Sequence, residues 1–483
     1  MKIKYILGIA LVVASLIFNG CELDTSPSNQ ISDEIVYNNL GMLDAVLNSA
    51  YNQLKNEVPE WGYNCAIFMK VMATAYGKDI NVDQNPAYGS GTPPHSANWY
   101  LPDSYDPANY ASRDIWTHFY SVIYKTNIIL DHIDKVPGSE DEAKSIKGQT
   151  LIIRARCYFE LIRWYQHTYI IAKDRPGVPL VLNSTIQVSI PRSTVDEVYA
   201  SILNDLKNAE TLLANWQRPT IAYYDIDVAR FLLAEVYLTM NDWVNAQAYA
   251  HLITAKYPLM TIDEYKAGFT KANAEWVLGY TQTAQDFTTD NLAAIFDYGQ
   301  NNTKFPEYEM YPASGFVTLM AGDPRSLFIP HPTKADKFAT TKFYEHNDAA
   351  PYGDFIDMRA AEMYLVEAEA AVRQGNVSLA LNVLNTLQNA RTGATVTTTS
   401  DPEALLEAVL LERRKEFYGE GLDYYDIKRL QLPIDRSLAY GNDIDLSLPA
   451  NTNILTIMIP QQEMQNNKQM VQNPDPTQDP VFN

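Results

Sequence analysis

The side chains that could do acid–base, nucleophilic or metal chemistry here are seven histidines, three cysteines and 58 acidic residues in a chain of 483. Their spacing organises none of them into a reaction centre. The histidines stand at positions 95, 118, 132, 167, 251, 331 and 346, and no HExxH, CxxC, GxxxxGK[ST] or GxSxG motif occurs. "YGSGTPP" starts like a glycine-rich loop, but Pro94 stands where a third glycine is needed, so a dinucleotide fingerprint fails. A glycosidase needs two carboxylates about 5–10 Å apart with opposed pKa values, and nothing in the spacing picks out such a pair. "KDINVD" followed by Asn85 holds oxygen ligands of the kind Ca²⁺ takes, without the glycine and glutamate spacing of an EF-hand. It reads as a solvated acidic loop. His118 and His132 fall within helical patterns and read as partly buried or surface residues. No catalytic residue, metal site or cofactor is expected.

What stands out instead is aromatic. Tyrosines number 32 against 16 phenylalanines. Tyrosine offers an apolar ring face and a hydroxyl, a combination suited to wet, polar binding surfaces. The stretch from Gly77 to Tyr110, including "ANWYLPD" (97–103), is rich in Pro, Gly, Tyr and Asn. Structureless loops beyond about 12–15 residues are uncommon in compact domains and are usually functional or disordered. The net charge of −21 excludes nucleic acid as a partner, because its phosphates repel such a surface.

The elements that must position such a loop are helical. Apolar residues recur at three- and four-residue spacing from about Ser112 to Thr168, as one buried helix face requires. A first helix is expected over Leu40–Lys55. Another covers Thr194–Leu213, with Ser193 or Thr194 as N-cap and Glu197 able to close a capping box. Residues 225–259 read as two amphipathic helices joined by "MNDW", with Ala229, Ala234, Ala246 and Ala250 where the helices would touch. Residues 359–392 repeat the pattern, with "RQGN" at the turn and Ala380 where Ala246 stood. Both copies resemble tetratricopeptide hairpins, which bury their apolar faces by stacking. A third pair is expected over Pro402–Leu430. Two regions, 57–110 and 260–358, fall outside the repeats as irregular inserts, although "EWVLGYTQT" has a strand-like flavour.

The N-terminus reads as a targeting segment. Lys2 and Lys4 precede an apolar run from Tyr5 to Phe18, short for a bilayer span and right for a signal peptide. It ends at "FNGC", similar to a bacterial lipobox, which implies cleavage after residue 20 and lipidation of Cys21. The expected organisation is therefore a signal peptide over 1–20, a tether over 21–38 and one domain over 39–483, with halves at about 39–259 and 260–483. Cys65 and Cys157, far apart in the chain, define neither a disulfide framework nor a metal site.

Six further stretches, in order, resemble the SusD/RagB family of Bacteroidetes outer-membrane lipoproteins. They are "YKTNIILDHID" (124–134), "RARCYFELIRWYQHT" with "GVPLVL" (154–182), "PRSTVDEVYASILNDLKNAETLL" (191–213), "RAAEMYLVEAEAAVRQG" (359–375), "LLERRKEFYGEGLDYYDIKR" (410–429) and "IMIPQQEMQNNKQMVQNPD" (457–475). Two departures occur: Asp423 stands where the family pattern usually has Arg, and "IMIP" replaces "PIP". The resemblance implies a mainly α fold of tetratricopeptide-like hairpins in a superhelical scaffold, with long loop insertions and little β. It also implies a non-enzymatic, lipid-anchored glycan-binding protein on the outside of the outer membrane. Its partners would be an oligosaccharide or polysaccharide and a SusC-like TonB-dependent transporter that it serves as a lid. In the family the ligand surface comes from loops outside the repeats, which here means 57–110 and 260–358.

A sugar ring has a face of C–H groups that an aromatic ring covers, and an edge of hydroxyls that Asp, Asn or Gln binds. The candidate glycan contacts are therefore Trp99 and Tyr100 beside Asn98 and Asp103, Tyr76 with Asp79 and Asn81, and, from the second insert, Tyr298, Tyr308 and Tyr311. Trp61 and Trp276 read as packing residues. Arg154, Arg156, Glu362, Glu367, Glu369 and Arg413 sit on repeat helices and read as structural ion pairs. The rival readings are a tetratricopeptide scaffold for protein, peptide or glycopeptide, and a glycoside hydrolase.

Overall fold

A computed structural model describes residues 37–55, 57–58, 63–84, 106–108, 110–187, 189–269, 271–281, 308–330, 337–343, 354–392, 396–435 and 447–476. The longer helices, numbered in chain order, are α1 (Leu40–Lys55), α2 (Cys65–Ala75), α3 (Tyr110–His132), α4 (Glu140–Tyr165), α5 (Val195–Leu212), α6 (Ile226–Thr239), α7 (Trp243–Thr254), α8 (Ala360–Arg373), α9 (Val377–Thr392), α10 (Pro402–Glu416) and α11 (Asp423–Leu430). Helix starts follow the expected local chemistry. Thr194 caps α5 and closes a capping box with Glu197, Ser139 caps α4, and Asp401 caps α10 ahead of Pro402.

The helices form one continuous row. α1 packs on α3, α3 on α4, α4 on α5, α5 on α6, α6 on α7, α7 on α8, and α8 on both α9 and α10. Most steps join successive long helices, but α1 to α3 passes over α2, α8 to α10 passes over α9, and the second insert lies between α7 and α8. The two expected repeats share their turn geometry. Asn241 (φ 58°) and Gly375 (φ 79°) both adopt left-handed backbone. Asp242 N–H reaches back to Tyr237 O (2.9 Å) and Asn376 N–H to Ala371 O (2.9 Å). This six-to-one bond satisfies the last carbonyls of the first helix. Ala246 and Ala380 are both fully buried, so the small residues lie where the helices meet.

One large apolar core runs through α1–α7 and the C-terminal segment, and a smaller one lies between α8, α9 and α10. Among the described residues no helix is long and apolar enough to cross a membrane. Cys157 is a buried thiol in α4, and Trp276 is buried.

The motif-bearing charges tie the row together. Arg154 holds Asp205 with two bonds (2.7 and 2.8 Å), joining α4 to α5. Arg156 holds Asp357 (2.6 and 2.9 Å). Arg413 bridges Glu362 (2.8 Å) and Asp426 (2.7 Å), Arg429 grips Glu369 (2.8 and 2.7 Å), and Glu367 meets His251 (2.9 Å). Deeper still, Arg359 donates to Glu275, Glu416 and Glu420 (2.6–2.9 Å), and Arg391 to Glu275 and Glu416 (2.8 and 2.9 Å). Burial opposes ionisation of Glu416, but Arg391, Arg359 and Arg325 override it and hold its carboxyl well below the usual range.

The inserts are less irregular than expected. The 57–110 region contains α2 and a strand, β1 (Ile80–Gln84). "CAIFMKVMATA" lacks a polar stripe because α2 is enclosed: Met69, Met72, Ala73 and Ala75 are buried. The 260–358 region holds β2 (Trp276–Tyr280), β3 (Tyr308–Pro312), β4 (Phe328–Pro330), β5 (Phe338–Thr340) and β6 (Phe355–Arg359). β2 pairs antiparallel with β6 and β4 with β5, so "EWVLGY" is a strand as expected, and it is buried throughout.

Candidate ligand-binding surface

The strand that matters most for the ligand surface pairs across the two inserts. β1, from the first insert, runs antiparallel to β3, from the second, with Ile80 opposite Pro312, Asn81 opposite Tyr311, Asp83 opposite Glu309 and Gln84 opposite Tyr308. The chain leaves β1 after Gln84 and enters β3 at Tyr308. The segments carrying Trp99 and Tyr298 are therefore rooted at the same end of one ribbon. Main-chain hydrogen bonds give this joint its strength without specifying side chains.

The other end of the ribbon is clamped to the scaffold. Asp79 O accepts Ala313 N–H (2.8 Å). The Asp79 carboxylate is bound through both oxygens by Arg414 of α10, by Nε at 2.7 Å and also by Nη2. Asp423 of α11 accepts the N–H of Lys78 (2.7 Å). A Cβ on Gly77 would fall 2.6 Å from Asp423 Oδ2, so glycine permits the approach. Tyr418, in the turn between α10 and α11, stacks on Phe316 (4.8 Å) and meets Phe328 edge-on (5.2 Å). Burial first, then the charge of Asp79, pushes the Asp423 carboxyl up to about 6, against the opposing pull of Lys78 and Arg414.

This placement corrects three expected ligand contacts. Tyr76 is buried between Trp164 (5.9 Å) and Tyr424 (5.3 Å), so its ring packs the core. Asp79 is buried in its pair with Arg414, which also corrects the reading of "KDINVD" as a solvated loop. Tyr311 is 1% exposed, with Lys337 Nζ 4.2 Å from the centre of its ring. Asn81 and Tyr308 lie in the ribbon strands, Asn81 opposite Tyr311 and Tyr308 opposite Gln84. Trp99, Tyr100, Asn98, Asp103, Tyr298 and Cys21 lie outside the described residues. Sequence reading missed Arg414 and Lys78 as parts of the clamp. Asp423 did carry a signal, as the acid in a position where the family pattern has a base.

Among the described residues no cluster of three or more His, Cys, Asp or Glu is arranged to hold a metal ion. His118 is buried, and burial lowers its pKa to about 4, so the ring is neutral at physiological pH.

The fold is thus a helical row of hairpin repeats with two inserts joined by a ribbon. The chain belongs to the SusD/RagB family. Residues 23–238 match a SusD-like family described as starch-binding and associating with the outer membrane, and residues 331–475 match the SusD family. A SusD-like protein of Formosa agariphila is 23% identical, covering 90% of this chain and 93% of its own. The crystal structure of a SusD-like carbohydrate-binding protein from Bacteroides vulgatus is 26% identical, with a TM-score of 0.78 over 90% of this chain and 97% of that one. A laminarin-binding SusD-like protein shares the fold at 20% identity, with a TM-score of 0.69 over 91% of this chain and 100% of that one.

Proposed function

We propose that this protein captures oligosaccharides at the cell surface and hands them unaltered to a TonB-dependent transporter in the same membrane. The observation that carries the reading is the ribbon. It brings the roots of both inserts together on a clamped frame, which supports a ligand surface drawn from both inserts. Trp99 and Tyr100, flanked by Asn98 and Asp103, supply stacking faces and hydroxyl partners from the first insert, and Tyr298 supplies one from the second. Aromatic pairs contribute roughly 0.5–1.5 kcal/mol beyond burial. A few such contacts give weak, multi-point binding that releases readily.

Asp79 and Asp423 are neighbours, and Arg414 engages both oxygens of Asp79, which fits a structural ion pair at the base of the ribbon. Cys21 is the proposed lipid anchor, with 1–20 removed.

The test is binding to a glycan panel by wild type and by Trp99→Ala. Sugar stacking of the strength of an aromatic pair predicts about tenfold weaker binding in the variant. Unchanged affinity moves the platform elsewhere. Shortened oligosaccharide products after incubation would overturn the non-catalytic reading.

A further inference from the structure

Between α4, α6 and α8 lies a crevice of about 80 Å³, with room for several waters and for no sugar ring. We propose that the Glu235 carboxyl in this crevice is a pH-sensitive latch between α6 and α8, closed by a proton and loosened when that proton leaves.

The hydrogen bonds around the crevice single Glu235 out. Every other charged group that lines it is bonded within the protein. Arg156 of α4 holds Asp357 of β6 (2.6 and 2.9 Å), and Tyr280 of β2 donates to the same carboxylate (3.3 Å). Lys70 of α2 donates to the carbonyls of Ile356 and Asp357 (3.1 and 2.7 Å). Glu420, between α10 and α11, is bound by Lys342 and Arg359 (both 2.7 Å). Glu160 of α4 takes Arg163 on one oxygen and the Tyr425 hydroxyl of α11 on the other (2.9 Å). Glu362 of α8 accepts from Arg413 of α10 (2.8 Å). α5 and α7 also pack on α6 but contribute no lining residue.

Glu235 has no such partner. Among the described residues its closest cation is Arg163 Nη1 at 3.7 Å, beyond hydrogen-bond reach. Arg163 is held where it is. Its guanidinium lies between the rings of Phe159 (4.0 Å) and Tyr425 (3.9 Å) and is committed to Glu160. The Glu235 side chain is 13% exposed, so water and protons reach it from the crevice. An ionised Glu235 therefore meets two further carboxylates, Glu160 on α4 and Glu362 on α8, with one cation already spoken for.

Burial first, then the charge of Glu362, pushes the Glu235 carboxyl up to about 8, with Glu160 adding to the push and Arg163 and Arg413 opposing it. That lies above the ~4.3 of an unfolded glutamate. The stabilising effect of the proton is thus fully present below ~4.3 and is lost as pH rises through about 8. The helices it joins stand on opposite sides of the second insert and touch directly. α8 in turn packs on α10, which carries Arg414 of the ribbon clamp.

The experiment is amide hydrogen exchange of the full chain at pH 6, 7 and 8, read on α6 and α8 in wild type and in Glu235→Gln, and corrected for the intrinsic rise of exchange with pH. Protection in wild type should fall about fiftyfold more between pH 6 and pH 8 than in Glu235→Gln. Wild-type protection that stays level overturns the proposal. A fall that Glu235→Gln shares equally overturns it too, by assigning the effect to another group. The pH 8 measurement is repeated in sodium, potassium and tetramethylammonium chloride at equal ionic strength. Equal protection in all three is expected; protection that follows the cation would show that a bound metal ion, and not a proton, neutralises Glu235. Failure of Glu235→Gln to fold at pH 7 also counts against the latch, because a carboxamide there mimics the protonated acid.

Discussion

Arg359 is surrounded by Glu275, Glu416 and Glu420, all buried. Removing one partner from such a group leaves charges uncompensated, at a cost of about 3–5 kcal/mol. Arg359→Met should therefore lower the thermal unfolding midpoint markedly, whereas a surface pair such as Lys144 with Glu140 should be nearly silent when broken. Calorimetry of both variants checks this. Asp423 sends a different signal. Its pKa of about 6 in the folded protein lies above the ~3.9 of an unfolded aspartate. Its proton therefore stabilises the fold fully below the unfolded value, and that contribution is lost as pH rises through about 6. Asp423→Asn, which mimics the protonated state, should raise stability by about 1–3 kcal/mol at pH 8 and by almost nothing at pH 4. An equal effect at both pH values would refute the raised pKa. At this scale the sequence was legible for the motif charges: Arg154, Arg156, Glu362, Glu367, Glu369 and Arg413 are ion-paired as their helical positions implied. It was not legible for Tyr76, Asp79 and Tyr311. An aromatic beside a polar residue looks the same in a sequence whether it faces solvent or packs against a distant helix.

Helices and turns were the most readable elements, because apolar spacing, caps and breakers act within a few residues. The span of α1, the capping box of α5 and the matching turns of the two hairpins follow from such local rules. Those turns make a specific prediction. Gly375 has φ 79° with nothing within 4 Å of where a Cβ would sit. Gly375→Ala should therefore cost about 1–2 kcal/mol through backbone strain alone, while the same change at an open, negative-φ site would not. Urea denaturation measures the difference, and a cost near zero would show that the turn relaxes. The elements that escaped were those defined by distant partners. β1 and β3 lie in opposite halves of the chain, and neither five-residue strand has a local pattern that names the other. α2 escaped for the opposite reason: being enclosed, it has no polar stripe to reveal a period.

For the molecule as a whole, the proposed attachment is a lipid on Cys21. Cys21→Ala should release the protein from outer-membrane fractions while leaving glycan affinity in solution unchanged, measured by fractionation and calorimetry on the same variant. Membrane retention of the variant would count against the lipid as sole anchor. The ribbon between the inserts also has a bearing on diversification. Its register is held by main-chain bonds and its base by Asp79, Arg414 and Asp423, none of which reads the residues beyond Gln84 or before Tyr308. If the ligand surface lies on the two loops as proposed, they travel as a matched cassette. Transplanting both from a relative onto this frame should move its sugar preference with them, while transplanting only one should yield a chimera that matches neither parent.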